Sequence, residues 1–230
     1  MLQQKNLKEP IRNQQAIVII GAGGHSKVIQ DLIFVHPDYT LYAILDDRFE
    51  AETTQKGILY GPISMAEKLR ESMPDAKWVI AIGQNKTRLQ VEERLSLSKK
   101  KYVKLIHPTA IISPSAKIDF GSVVMAKAVV QADAVIGAHV IINTGSIVEH
   151  DCFLAPFAHL SPGAVLTGGV SIHEGAHVGA SAVVIPGKSI GKWSVIGAGA
   201  AVITDIQAQK TAVGVPAIDI TDQKEVENDD

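Results

Sequence analysis

From Ile112 to Val202 every sixth residue is aliphatic without a slip: Ile112, Ile118, Val124, Val130, Ile136, Ile142, Val148, Leu154, Leu160, Leu166, Ile172, Val178, Val184, Ile190, Ile196 and Val202, with Ile106 one step earlier. A helix buries side chains at 3.6-residue spacing and a simple amphipathic strand at every second residue. A strict period of six therefore requires a solenoid of short strands joined by tight turns.

The neighbouring columns agree. Two residues before each aliphatic position the chain is mostly small: Ala110, Ala116, Ser122, Ala128, Ala134, Ser146, Cys152, Ala158, Ala164, Ala176, Ala182, Ser194 and Ala200. Residues two apart on a strand share a face, so each hexapeptide points one branched and one small side chain inward. Directly after the aliphatic slot stand Gly137, Asn143, Gly179, Gly191 and Gly197, where the turns are expected to use their open φ/ψ range. Cys152, the single cysteine, falls in the small column and is expected to pack inward.

Before the repeats the rhythm changes. Residues 16–20 form an apolar strand running into Gly21-Ala22-Gly23-Gly24-His25-Ser26, and residues 27–35 read as a helix. Strands follow at 41–45, 78–82 and 102–106, with helices at 63–72 and 86–97, which implies a small parallel sheet with crossover helices. Ligands of such sheets bind beyond the carboxyl ends of the strands, where Gly23, Gly24, His25, Asp46, Asp47 and Gly83 would gather. The glycine loop departs from the full dinucleotide spacing, because Ser26 stands where a third glycine would fall. It suits an anion at a helix N-terminus, such as a pyrophosphate, as well as a dinucleotide. A tight turn with Asp46 as a capping residue is the structural alternative.

Composition narrows the function. With 230 residues, 46% of them hydrophobic, the chain can bury a core and hold two modest domains. A net charge of −2 gives no electrostatic case for nucleic acid or an anionic membrane, and no apolar run is long enough to span a bilayer. We expect a cytoplasmic protein without membrane insertion, a loose leader over 1–15 and a solvated acidic end over 219–230.

The ordered set Gly-Ala-Gly-Gly-His-Ser, Leu45-Asp46-Asp47, Ile80-Ala81-Ile82-Gly83, Ile106-His107-Pro108, the hexapeptides with Val148-Glu149-His150-Asp151, and Gly214-Val215-Pro216-Ala217 resembles the bacterial NeuD-like and PglD-like sugar acyltransferases. The likeness runs from about Ala16 to Ala217. It implies an α/β Rossmann-like nucleotide-sugar domain over 16–107, an all-β left-handed parallel β-helix over 108–206 with three hexapeptides per triangular coil, and a C-terminal segment over 207–230. At a strand separation of about 4.8 Å, sixteen hexapeptides make a prism roughly 25 Å long.

The resemblance also implies roles. His150 would be the general base and Asp151 the acid that raises its basicity. His159, Gly168, Ala180 and Ala198 would line the acetyl-coenzyme A site, with the Gly168 N–H near the thioester oxygen. Gly23, Gly24, His25, Asp46, Asp47 and Gly83 would bind the nucleotide sugar. Independently, imidazole titrates near the working pH, and an amine or hydroxyl adding to a thioester must lose a proton. Adjacent strand residues face opposite ways, so a His150-Asp151 pair needs a corner. Gly168 lies eighteen residues after His150, one coil on, whereas His159 lies nine residues on, on the opposite side of a prism. One site containing all of them requires two chains, which predicts a homotrimer. No metal is expected: no carboxylate completes the His159–His177 column, and His139 and His173 are expected in solvated turn or exterior slots.

The activity expected is transfer of acetyl from acetyl-coenzyme A to the 4-amino group of a UDP-linked 4-amino-4,6-dideoxy sugar for surface glycan synthesis, by direct attack. O-acetylation of sialic acid or another sugar hydroxyl is the sibling activity, and a non-catalytic nucleotide-binding scaffold is the alternative of another class.

Overall fold

The computed structural model describes residues 14–221, so most of the leader expected over 1–15 and of the acidic end expected over 219–230 lies outside them; Gln15, expected in the leader, instead opens the first strand. The chain divides into two compact units between Leu105 and Ile106.

The first unit is a five-stranded sheet in the order β3-β4-β2-β1-β5. Its strands are β1 (Gln15–Ile20), β2 (Tyr39–Leu45), β3 (Thr53–Gln55), β4 (Ile58–Gly61) and β5 (Lys77–Ile80), with helices α1 (Gly24–Val35), α2 (Ala66–Ser72) and α3 (Asn85–Leu95). β2 and β5 flank β1 in parallel, so the chain order reverses at β1 and opens a crevice at its carboxyl end. Ile17 to Ile20 are fully buried, as a central parallel strand covered on both faces must be.

Two local expectations change. The β3–β4 hairpin was not legible in polar Thr53-Thr54-Gln55; Lys56 and Gly57, both with positive φ (50° and 79°), make its two-residue turn. The strand expected over 102–106 does not form as one element. Tyr102 makes a single parallel bridge to Trp78, whereas Leu105–Ile106 belongs to the solenoid's largest sheet.

The second unit is a left-handed parallel β-helix with three sheets of two-residue strands. The first face carries Val123–Val124, Ile141–Ile142, His159–Leu160, His177–Val178 and Val195–Ile196. The second carries Ile111–Ile112, Val129–Val130, Ile147–Val148, Val165–Leu166, Val183–Val184 and Ala201–Val202. The third carries Lys117–Ile118, Val135–Ile136, Phe153–Leu154, Ser171–Ile172 and Ser189–Ile190. Each strand pairs with the one eighteen residues away, as between Ile147–Val148 and Val165–Leu166. The second residue of each strand and the small column fill the interior, Cys152 among them at 1% exposure.

The corners work differently from the sequence expectation. Every sixth residue from Gly121 to Gly199 has positive φ, Asp151 (59°), Phe157 (61°) and Trp193 (57°) included, so the left-handed residue comes three positions after the aliphatic slot. Gly137, Gly179 and Gly191, one position after it, are needed for close approach instead. A Cβ on Gly179 would lie 2.6 Å from the Ala198 nitrogen and the Ile196 oxygen, which are backbone atoms that cannot swing aside. Gly179→Ala is therefore expected to cost about 3 kcal/mol. Gly145→Ala, where φ is +65° with no atom near the new Cβ, is expected to cost about 1 kcal/mol. Denaturant midpoints of the two variants check the order.

His139 departs from its expected solvated slot. It is 2% exposed, stacked on Phe157 at 5.2 Å with Phe120 edge-on at 5.4 Å. Glycine at 121 makes room for its ring, since a Cβ there would sit 2.4 Å from it. Beyond residue 206 the solenoid continues: Thr211–Val213 adds to the first face and Ile218–Asp219 returns antiparallel to it. Asp219, expected in the solvated end, is held there by Lys210 at 3.0 Å.

Candidate active site

Two places gather the chemistry-bearing residues, one in each unit. In the first unit, Gly23, Gly24, His25, Asp46, Asp47 and Gly83 all line one open cleft of about 360 Å³ at the carboxyl ends of β1, β2 and β5. Gly21 is required by the fold: its φ is +106° and a Cβ would meet Ile82 at 2.9 Å. Gly23, Gly24 and Gly83 are not, because an added Cβ would meet nothing within 4 Å. Their missing side chains leave space on the cleft side.

Asp46 ties the cleft together. Its Oδ2 accepts the Ala22 N–H at 2.7 Å, and Oδ1 accepts the Arg48 N–H at 2.9 Å and Arg48 Nε at 3.1 Å. Partial burial opposes its ionisation, but the bonds from the Arg48 and Ala22 amides and the Arg48 guanidinium outweigh it and hold the carboxyl below its ordinary value. Asp47 accepts the Ile63 N–H at 3.2 Å and pairs with Arg94. Burial, and secondarily the charge of Arg88, depress His25 to about 4, so its imidazole is neutral at working pH.

Helices α1 and α3 both begin at this cleft, and neither has an acidic residue in its first turn. Unopposed helix N-termini favour an anion. Sequence reasoning missed Arg48, Thr87 and Arg88. Arg88 had a faint signal: Val91 and Leu95 define the inward face of α3, and stepping back three residues at a time reaches Arg88 and Asn85, both buried.

In the second unit, His150 and Asp151 occupy the corner between the second and third faces, between inward Val148 and Cys152. His150 Nδ1 lies 2.8 Å from Asp151 Oδ2, and both side chains are exposed. The hydrogen bond to Asp151, opposed by desolvation and aided by the charges of Asp151 and Glu149, raises the imidazole above its ordinary value. One coil on, Gly168 lies directly against the ring: a Cβ there would come 2.6 Å from His150 Cε1 and Nε2. The Gly168 N–H has no partner among the described residues, whereas its carbonyl accepts the Gly187 N–H at 3.0 Å. Cys152 is inward, its thiol donating to the Thr167 carbonyl at 3.2 Å, and burial pushes its pKa up, which makes it a poor nucleophile.

His159 is on the first face, largely buried, stacked on His177 at 4.7 Å with Nε2 3.3 Å from Asn143 Nδ2. Ala180 and Ala198 follow on the corner between the first and second faces, one coil apart. A single chain thus brings His150, Asp151 and Gly168 together, whereas His159 lies apart from them on the first face and Ala180 and Ala198 on the corner that follows it. Among the described residues no three His, Cys, Asp or Glu side chains are grouped to hold a metal ion, and no helix is long and apolar enough to cross a membrane.

Residues 16–95 match the family model described as the PglD N-terminal domain. Over 110 residues the chain is 50% identical to UDP-N-acetylbacillosamine N-acetyltransferase of Bacillus subtilis (strain 168), a match covering 48% of this chain and 51% of that protein, about half the relative's length. The fold superposes on PerB from Caulobacter crescentus in complex with CoA and GDP-perosamine, with TM-score 0.81, 37% identity, and coverage of 89% of this chain and 96% of that one. It also superposes on the acetyltransferase domain of PglB from Neisseria gonorrhoeae FA1090 in complex with acetyl coenzyme A, with TM-score 0.80, 37% identity, and coverage of 90% and 99%.

Proposed function

The chain belongs to the NeuD- and PglD-like family of sugar acyltransferases, and from that premise we propose that it transfers acetyl from acetyl-coenzyme A to the amino group of a nucleotide-linked amino sugar, in the cytoplasm. The acceptor we assign is the 4-amino group of a UDP-linked 4-amino-4,6-dideoxy sugar. The observation that carries the reading is His150, bonded through Nδ1 to Asp151 and lying with Nε2 over Gly168.

Asp151 fixes the ring so that Nε2 is the free base, and it stabilises the imidazolium that forms. As the amine adds to the thioester carbonyl, Nε2 takes its proton. The developing oxyanion meets the Gly168 N–H, which is already without a partner and needs no bond broken to serve. Collapse expels the coenzyme A thiolate, which takes the proton from the His150 imidazolium and restores the base, and no acyl-enzyme is formed. The cleft of the first unit would hold the nucleotide, its diphosphate at the N-termini of α1 and α3.

The site is completed by a second copy of the chain. The outward residues of the second face are Ile111, Val129, Ile147, Val165, Val183 and Ala201, an unbroken apolar column where a solvated strand would alternate to polar. This face is bounded on one side by the corner of His150 and Gly168 and on the other by the corner of Ala180 and Ala198. Turning three such faces toward a threefold axis sets the first corner of one chain beside the second corner of the next. We therefore read the assembly as a homotrimer with donor grooves between prisms.

The base assignment predicts a pH profile. Because Asp151 raises His150, kcat/KM falls as pH drops through a value above that of an ordinary histidine. Asp151→Asn removes the stabilisation of the imidazolium, so the acidic limb moves to lower pH while the plateau falls. Initial rates of thiol release across pH check this; an unmoved limb in Asp151→Asn would refute the pairing.

A further inference from the structure

Beneath the cleft of the first unit lies a buried cation with no role in the chemistry above. Arg88 is 1% exposed. Its Nη1 donates to the carbonyls of Ile82 at 2.9 Å and Gly83 at 3.2 Å, and Nη2 donates to Asn85 Oδ1 at 2.9 Å. Three bonds in one plane from one side chain are what a guanidinium fork can make and an ammonium cannot.

The consequence follows from peptide geometry. The Ile82–Gly83 and Gly83–Gln84 bonds are trans, and in a planar trans peptide the N–H points opposite to the C=O. Two carbonyls aimed at a buried guanidinium therefore aim the N–H groups of Gly83 and Gln84 away from it, and Gly83 borders the cleft. The Gln84 N–H has no acceptor among the described residues. This turn leads directly into α3, and an ideal Cβ at Gly83 would touch nothing, so an anion can come close to the backbone.

We propose that Arg88 is a positioning residue for the diphosphate of the nucleotide-linked substrate: it turns the 82–84 peptide units so that their N–H groups face the cleft, and it adds a buried positive charge behind them. The proposal rests on the nucleotide-sugar reading of the cleft. Without the fork, the same carbonyl oxygens would be released to face the phosphate, turning an attractive wall into a repulsive one. Burial lowers the Arg88 pKa only to about 9, so the charge is present at working pH.

The test compares wild type, Arg88→Met and Arg88→Lys as full chains by titration calorimetry, using whichever of UDP and GDP the wild type binds, together with the matching nucleoside. Both variants should lose roughly tenfold or more in diphosphate affinity while nucleoside affinity stays within about twofold, the pattern expected when charge-assisted phosphate contacts are lost. In turnover, KM for the nucleotide sugar should rise while kcat and KM for acetyl-coenzyme A hold. Should Arg88→Met not fold, Arg88→Lys decides, since it keeps the charge and nearly the volume. Diphosphate binding by folded Arg88→Lys equal to wild type, or equal losses for nucleoside and diphosphate, would overturn the positioning role. A wild type that binds neither UDP nor GDP would remove the nucleotide reading itself, and is told apart because the defect then precedes any substitution.

Discussion

Replacing His150 by alanine is expected to lower kcat by roughly a hundredfold or more and to leave acetyl-coenzyme A affinity and thermal stability near wild type. The size follows from the role: only the transition state needs a proton acceptor, so the loss falls on kcat and not on donor binding. The small cost to the fold follows from the site. The imidazole is exposed in the chain and bonds only its neighbour Asp151 among the described residues, so no packed core depends on it. A variant with near-normal turnover would take His150 out of the base role. A variant that loses donor affinity in parallel would assign the histidine to binding.

The second large effect comes from mixing two inactive chains. His150→Ala removes the base, and Ala198→Trp fills the groove expected to hold the donor at an exposed corner, so each homogeneous protein should be nearly silent. Refolded together, they should form some interfaces that take His150 from one chain and an open Ala198 groove from the next. Random assembly makes roughly a quarter of the interfaces functional, so about a quarter of wild-type activity should return. A site contained within one chain predicts no recovery, because every chain then carries its own defect. The layout of the corners makes the first outcome the expected one.

Much of this was legible in the chain because the solenoid repeats its rule in every coil. Val148 and Cys152 had to be inward, which forced His150 and Asp151 onto a corner, and eighteen-residue addition put Gly168 beside His150. Each of these follows from a period that never slips. The turn mechanics were not legible in the same way. Glycines at 137, 179 and 191 read as φ-permissive, but the structure uses them for coil-to-coil contact and leaves the positive φ to residues as bulky as Phe157 and Trp193. Neighbouring coils impose that requirement, and no local window of sequence contains it.

His139 was misread for a related reason. Its slot is exterior by register, yet Phe120 and Phe157, one coil away on either side, close over it. In the first unit, the cleft residues were recoverable because strand ends in a parallel sheet converge by topology. Arg88 left only the faint register signal of Val91 and Leu95, because a charged residue on a polar helix is read as solvated until its partners, the carbonyls of Ile82 and Gly83, are seen. The short β3–β4 hairpin escaped because β3 is polar and both strands are too brief to carry a period.

Acetyl transfer to a nucleotide-linked amine is read out by thiol release from acetyl-coenzyme A across a panel of UDP- and GDP-linked amino sugars, free amino sugars and sialic acids. Rapid release is expected with one nucleotide-linked 4-amino sugar and little with its free counterpart or with sialic acid. Preference for a sugar hydroxyl, or no release with any acceptor, would contradict it.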